Sequence, residues 1–236
     1  MTISIRAHII SSMKPLVCEI DSALFDLDGT LVETNIDFAL MRREMIRMAA
    51  EVGLAQDDMQ KLDILGIVNA GVQSLGDGSD RALQYRAEAM TILEEIELRH
   101  AHETREIPFA REMISRLNEM GVPTGIVTRN CRAASEVSLR IAQITTDVMI
   151  CREDSSLHKP HPEPVLIALS RLNARPANSV MVGDHTMDVL SGKAAGTKTI
   201  GFRRPHQPEN MFDGASPDLI ISDLREVLGA IIGCAG

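Results

Sequence analysis

The sequence predicts an α/β protein: a doubly wound parallel sheet interrupted by an all-helical insertion. Three observations carry that expectation. From Pro108 onward, short apolar runs alternate with helical periods of about ten residues, the pattern of strand–helix–strand units in a parallel sheet. A separate apolar run, Ala23-Leu24-Phe25, stands well before them and ends in Asp26-Leu27-Asp28-Gly29. Between the two, residues 36–104 show helical spacing and no strand signal.

Taken in order, residues 23–25 read as a buried strand. Asp26 and Asp28 alternate with Leu27, so they share a face while the strand persists, and Gly29 permits a sharp turn after them. Residues 37–51 carry Phe38, Met41, Met45 and Met48 at helical spacing, with Gly53 as a stop. A second helix is expected over 61–72, interrupted or ended near Gly66 and Gly71. Residues 76–80 are a loop, from which Ser79 caps a long helix reaching about Thr104. Then come a helix at 109–120 closed by Gly121, a strand at 123–127, a helix at 132–141 and a strand at 147–151. A helix at 162–172 is opened by prolines. The strand 180–182, the helix 186–195, the strands 198–201 and 219–221, and a last helix capped by Ser222 complete the chain. The domains implied are a core at 16–34 and 105–236 and a helical domain at 35–104, placed to roof the crevice at the strand ends.

Composition narrows the function. The chain has 236 residues, 44% hydrophobic and 24% charged, which suits one globular core with a modest insertion. A net charge of −9 opposes nucleic-acid binding, which needs a basic face. With no Trp, one Tyr (Tyr85) and five Phe, a base-stacking surface is excluded as well. No apolar run approaches the roughly 18 residues of a membrane span. Residues 1–14 lack the apolar segment of a signal peptide, and the chain before Leu16 is expected to be frayed. Cys18, Cys131, Cys151 and Cys234 match no zinc or CxxC spacing. They read as small core residues in a reducing compartment, so a cytoplasmic location is expected.

The carboxyl ends of parallel strands face one crevice. This brings together Asp26 and Asp28, Thr128 after the strand 123–127, Lys159 in the loop after Cys151, and Asp184 after the strand 180–182, with Asp188 four residues further on. Two close carboxylates are costly unless a cation or a proton offsets their repulsion. Clustered carboxylates suit a hard divalent cation such as Mg²⁺, and a hydroxyl with an ammonium suits phosphate oxygens.

Asp26-Leu27-Asp28-Gly29-Thr30-Leu31-Val32, Thr128, Lys159-Pro160 and Gly183-Asp184-His185-Thr186-Met187-Asp188 are similar, in order and spacing, to the four motifs of the haloacid dehalogenase superfamily of hydrolases. The resemblance covers about residues 20–230. The insertion resembles that family's α-helical cap, and Lys159-Pro160-His161-Pro162-Glu163-Pro164 resembles its phosphoglycolate phosphatase branch. The resemblance implies a Rossmann-like core and a Mg²⁺-dependent hydrolase acting on a small phosphorylated metabolite through an aspartyl-phosphate. It makes Asp26 the nucleophile and Asp28 the acid and base. Thr128 and Lys159 would hold phosphoryl oxygens, with Arg129 and Asn130 beside them at the substrate. The metal set it implies is Asp26, Asp28 through its carbonyl oxygen, and Asp184. Asp188 is open between a ligand, an acid behind the ligands and an ordinary first-turn helix acid. Two departures stand out. Arg129 separates Thr128 from Asn130, where the family's asparagine usually follows directly, and points at substrate or at solvent. His185 stands where Ser is frequent.

Other readings share the fold. Dehalogenases and phosphonate hydrolases of the superfamily lack the second acid, so Asp28 opposes both. The latter also use a cap lysine, and Lys61 is the only lysine of the helical block. A phosphomutase keeps both acids and stays open. A regulatory module phosphorylated on Asp26 is the non-enzyme alternative, against which the insertion and Asp28 favour turnover. Substrate choice would lie in the helical block, with Arg42, Arg43, Asn69 and Gln73 as candidates, although each reads more simply as part of a solvated helix face.

Overall fold

A computed structural model describes residues 19–232. The stretch before Leu16, Cys18 and Cys234 lie outside the described residues. Strand β1 (Ser22–Phe25) is buried along its whole length because it is flanked on both sides, by β4 (Thr124–Val127) and β6 (Ser179–Gly183). A strand covered on both faces reads as an unbroken apolar run, as Ala23-Leu24-Phe25 does. Leu24 faces Gly125 of β4, where a Cβ would stand 2.7 Å from its Cδ2, so the glycine makes room for the leucine.

All pairings in the six-stranded sheet are parallel, in the order β5 (Val148–Ile150), β4, β1, β6, β7 (Lys198–Phe202), β8 (Leu219–Ile221). After β1 the chain builds outward through β4 and β5, then crosses to the other side of β1 for β6, β7 and β8. The strand order therefore reverses at β1, and a doubly wound sheet opens its ligand crevice at that reversal, beyond the carboxyl ends. Helices cover both faces. Phe25, Ile126, Val182 and Ile200 pack with Met113, Ile114 and Leu117 of α5 (Ala110–Glu119) and with Val227 and Ile231 of α9 (Arg225–Ile232). On the opposite face Leu24, Val127, Ile150 and Met181 pack with Val165 and Leu169 of α7 (Glu163–Arg171). Two more helices, α6 (Arg132–Ala142) and α8 (Thr186–Ala195), follow β4 and β6.

The chain divides into two compact units, Asn35–Glu103 and the remainder. The first contains α1 (Phe38–Glu51), α2 (Gln56–Met59), α3 (Ile64–Ser74) and α4 (Asp80–Ala101). It has its own apolar core, including Met41, Met45, Met48, Met59, Ile67, Val68 and Leu93. Side chains cap three of its helices: Asp37 accepts from Leu40 N, Asp63 from Gly66 N and Ser79 from Ala82 N.

Several expectations about local structure change. Gly66 and Gly71 neither interrupt nor end α3. Gly71 is instead a packing position, because a Cβ there would come within 2.4 Å of the Tyr85 ring on α4. Ser222 does not cap the last helix. Asp223 Oδ1 takes the Arg225 N–H, while the Ser222 amide donates to Glu226. The four-residue α2 was too short to leave a periodic signal. So was an antiparallel ribbon of β2 (Val32–Glu33) with β3 (Arg105–Glu106). Cys131 and Cys151 are buried thiols that form no disulfide among the described residues. Among the described residues, no helix is long and apolar enough to cross a membrane.

Candidate active site

The crest of the sheet begins where β1 stops. The Leu27 carbonyl accepts from the amides of Thr30, Leu31 and Val32, and Gly29 N donates to Val32 O, which folds residues 27–32 into one tight turn. Gly29 carries φ +93°, a left-handed conformation that glycine adopts without cost. A Cβ at Gly29 would lie 2.4 Å from Asp184 Oδ2. The turn after β1 is thus open to the acid that follows β6.

Lys159 stands at the centre and is 3% exposed. Its Nζ donates to Asp26 Oδ1 (2.6 Å), Asp188 Oδ1 (2.6 Å) and the Val127 carbonyl (2.7 Å). An ammonium has three protons, and all three are engaged within the protein. Asp188 lies on the first turn of α8. Its Oδ1 receives Lys159, while its Oδ2 accepts from the His185 N–H at 3.0 Å. Gly183 is the spacer that allows this, because a Cβ there would sit 2.3 Å from the Asp188 carboxyl. His185 is the residue before α8, and its Nδ1 accepts from Met187 N. That makes it a helix cap, with Nε2 as its protonated nitrogen.

Asp28 points into a different set of partners. Its Oδ1 accepts from the Thr34 hydroxyl (2.8 Å) and its Oδ2 from Asn130 Nδ2 (3.0 Å). Thr128, 5% exposed, accepts the Asn130 N–H on Oγ1, which leaves its own hydroxyl hydrogen to be donated elsewhere. Arg129 Nη1 rests on Met187 Sδ at 2.8 Å.

One carboxylate oxygen from each of Asp26, Asp184 and Asp188 falls within 4.8 Å of the others. One ammonium does not balance three carboxylates. Burial raises the Asp26 carboxyl well above the ordinary range; Lys159 opposes the shift, and Asp188 and Asp184 add to it. Burial and then Asp188 push Asp184 up to about 7, against Arg204 and Lys159. Burial also raises Asp28, opposed by its hydrogen bonds from Thr34 and Asn130. Burial alone would lower the Lys159 ammonium, but Asp188 and Asp26 more than offset it and hold it above the usual lysine value. A donor set made only of carboxylate oxygens, short of positive charge and tightly spaced, fits a hard divalent cation.

The structure therefore brings together Asp26, Lys159, Asp184 and Asp188 in one cluster, with Asp28, Asn130 and Thr128 linked beside it. Three contributors lay outside the sequence reading. Thr34 carries no motif signal. The Val127 carbonyl is backbone and has no side-chain signature. Gln207, in the loop after β7, donates through Nε2 to the Asp184 carbonyl (3.0 Å) and to Asp184 Oδ2 (3.1 Å). Its position beyond a strand's carboxyl end was the one available hint.

A doubly wound sheet whose reversal point carries acids gathered on one buried lysine defines an enzyme of the α/β class. Residues 23–202 match the model of the haloacid dehalogenase-like hydrolases, and the chain belongs to that family. The pyrophosphatase PpaX of Bacillus mycoides is 30% identical over 222 residues, which is 91% of this chain and 100% of that protein. PpaX of Oceanobacillus iheyensis is 28% identical over 91% of this chain and 97% of its own length. Among solved structures, a haloacid dehalogenase-like hydrolase from Bacteroides fragilis aligns with a TM-score of 0.61 and 25% identity, covering 89% of this chain and 100% of that one. A HAD family hydrolase from Deinococcus radiodurans, with bound phosphate and sodium, shares the fold with a TM-score of 0.59, 22% identity, and coverage of 89% and 94%.

Proposed function

We propose that this chain is a Mg²⁺-dependent phosphatase of small phosphorylated metabolites, working in the cytoplasm through a phosphoryl group carried on Asp26. The observation that carries the reading is the Lys159–Asp26 pair. A buried ammonium 2.6 Å from Oδ1 fixes the direction of a carboxylate that stands apart from Asp28, the second acid two residues on. In the first step an Asp26 oxygen bonds to phosphorus while the bond to the leaving oxygen breaks and Asp28 gives that oxygen a proton. In the second, Asp28 takes a proton from water as the water oxygen bonds to phosphorus. The phosphorus–Asp26 bond breaks, releasing inorganic phosphate.

Asp26, Asp184 and the Asp28 carbonyl would hold Mg²⁺, which supplies charge neutralisation for the phosphoryl oxygens. Asp188, with one oxygen on Lys159 and the other on the His185 amide, serves the lysine rather than the ion. Thr128 has a hydroxyl hydrogen to give a phosphoryl oxygen. Lys159 reaches one only by sharing or exchanging a proton now donated inside the protein. Arg129 is assigned to the far side of the substrate, and residues 35–104 to a cap that excludes water.

The relatives named pyrophosphatase favour pyrophosphate as the first substrate to try, with phosphoglycolate second. Phosphate release from both, and from p-nitrophenyl phosphate, is expected with Mg²⁺ and is expected to stop in excess chelator and return on adding Mg²⁺. Ca²⁺ is expected not to restore it, because its larger and looser shell suits the in-line geometry poorly. Full activity in chelator would overturn the metal assignment, and no release from any of the three would overturn the phosphatase.

A further inference from the structure

Asn130 is 5% exposed and is held at three points. Its backbone N–H donates to Thr128 Oγ1 (3.1 Å), its Oδ1 accepts from the Cys131 N–H (2.8 Å), and its Nδ2 donates to Asp28 Oδ2 (3.0 Å). A backbone N–H can only donate, so the side-chain oxygen must be the atom facing Cys131. The amide NH₂ must then be the group facing Asp28, and the network fixes an orientation that an isolated asparagine leaves open. The two Asp28 oxygens consequently differ. Oδ2 meets an N–H and is held as an acceptor. Oδ1 meets the Thr34 hydroxyl at 2.8 Å, and a hydroxyl can either donate or accept.

We infer that Asn130 is a positioning residue for Asp28 and not a ligand of the substrate phosphate. Its amide clamps Oδ2, leaving Oδ1 as the oxygen that exchanges protons with the leaving group and with water. The inference deepens the reading of Asp28 as acid and base and rests on it. Oδ1–H passes its proton to the leaving oxygen as the phosphorus–oxygen bond breaks. Oδ1 then recovers a proton from water as the water oxygen bonds to phosphorus. Oδ2 keeps the same donor throughout, so the carboxyl need not rotate between the two steps. The asparagine has this reach from its place one residue further from Thr128 than the resemblance led one to expect, with Arg129 between them.

The test uses the full chain with Mg²⁺, two variants and two leaving groups. Asn130→Ala removes the clamp and leaves the Cys131 N–H without its acceptor. Asn130→Ser keeps a hydroxyl that can accept from Cys131 N–H but is too short to reach Asp28, so it separates the local fold from the clamp. With phosphoglycolate, whose alkoxide must be protonated to leave, both variants are expected to lose about 10²-fold in kcat, at the low end of what acid–base catalysis contributes. With p-nitrophenyl phosphate, whose leaving group needs no proton, the single-turnover rate of nitrophenolate release is expected to stay within about threefold of wild type, as general acid catalysis has little to add there. KM and inhibition by inorganic phosphate are expected to hold within about twofold, since the clamp makes no ground-state contact with substrate. A raised KM with weakened phosphate inhibition and unchanged kcat would mean that Asn130 holds the phosphate, and the inference fails. Equal losses in the single-turnover rate of the first step with both leaving groups, or wild-type behaviour of both variants, also overturn it while the phosphatase reading stands. A wild-type chain that releases phosphate from none of pyrophosphate, phosphoglycolate and p-nitrophenyl phosphate removes the parent reading and this inference together.

Discussion

In the sheet-bearing unit, glycine gives way to charge: Gly29 clears a path for Asp184 and Gly183 for Asp188. In the helical unit, Gly71 gives way to an aromatic ring, that of Tyr85. Arginine and asparagine divide in the same manner. Arg42, a candidate for substrate contact, donates to the carbonyls of Leu62 (2.6 Å), Met59 (2.9 Å) and Gln60 (3.0 Å), closing the end of α2. Asn69, another candidate, accepts from Arg86. Arg43 and Gln73 are exposed. At the crest, by contrast, Asn130 and Lys159 are engaged with carboxylates. One unit uses polar side chains to hold helices together and the other to hold clustered carboxylates in place. Residue type alone does not tell the two uses apart.

That comparison breaks or sharpens under substitution. The largest effect is expected at Asp26. Asp26→Asn removes the proposed nucleophile, and turnover should fall by at least about 10⁴-fold, with no phosphoenzyme on any substrate, as removal of a covalent nucleophile does elsewhere. Asp28→Asn should behave differently: a burst of nitrophenolate, then slow turnover, with a phosphoryl group retained on Asp26 and visible by intact mass after acid quench. If the two variants behave alike, the crest does not divide its labour as proposed.

A matched pair of glycine substitutions comes next. Gly183→Ala drives a methyl into the Asp188 carboxyl and should cost about 10²-fold in kcat by displacing Lys159, misplacement of this kind being worth that much. Gly71→Ala drives the same methyl into Tyr85 and should cost about 1–3 kcal/mol of stability through overpacking, with kcat kept at permissive temperature. Comparable losses of activity from both would erase the distinction between the units.

The smallest effect is in the pH dependence of the metal-free protein. The folded pKa of Asp184 is about 7, against an ordinary value of 3.8, and Asp26 shifts in the same direction. Ionisation is then easier in the unfolded chain, so stability is present at low pH and is lost as pH rises through about 4 to 7. In chelator, Tm at pH 8 should lie roughly 3–8 °C below that at pH 5. Asp184→Asn should flatten the slope, and Mg²⁺ should recover Tm at pH 8. A Tm that rises over this window would mean that the acids are compensated without a cation.

The sheet was legible because its central strands β1, β4 and β6 are buried on both faces and so appear as apolar runs, each followed by a polar residue at the crest: Asp26, Thr128, Asp184. Lys159 was legible from the order of the motifs. What stayed hidden depends on register between distant segments. Asn130 reaches Asp28 across 102 positions of sequence, and Gln207 reaches Asp184 only because β6 and β7 are paired. Gly71 carried a helix-breaking signal, and tertiary packing overrode it. Ser222 lost its capping role to Asp223, whose carboxylate lies two residues from the amide it takes.

The β2–β3 ribbon has an architectural consequence. Glu33 pairs with Arg105 and Val32 with Glu106, so the chain departs and returns at neighbouring points. The 69 residues from Asn35 to Glu103 thereby form a closed excursion whose ends are already joined. Loop-closure entropy grows only slowly with length, so lengthening or replacing such an excursion adds little to the cost of folding the sheet. A lineage could exchange the whole cassette while every residue at the crest kept its partner.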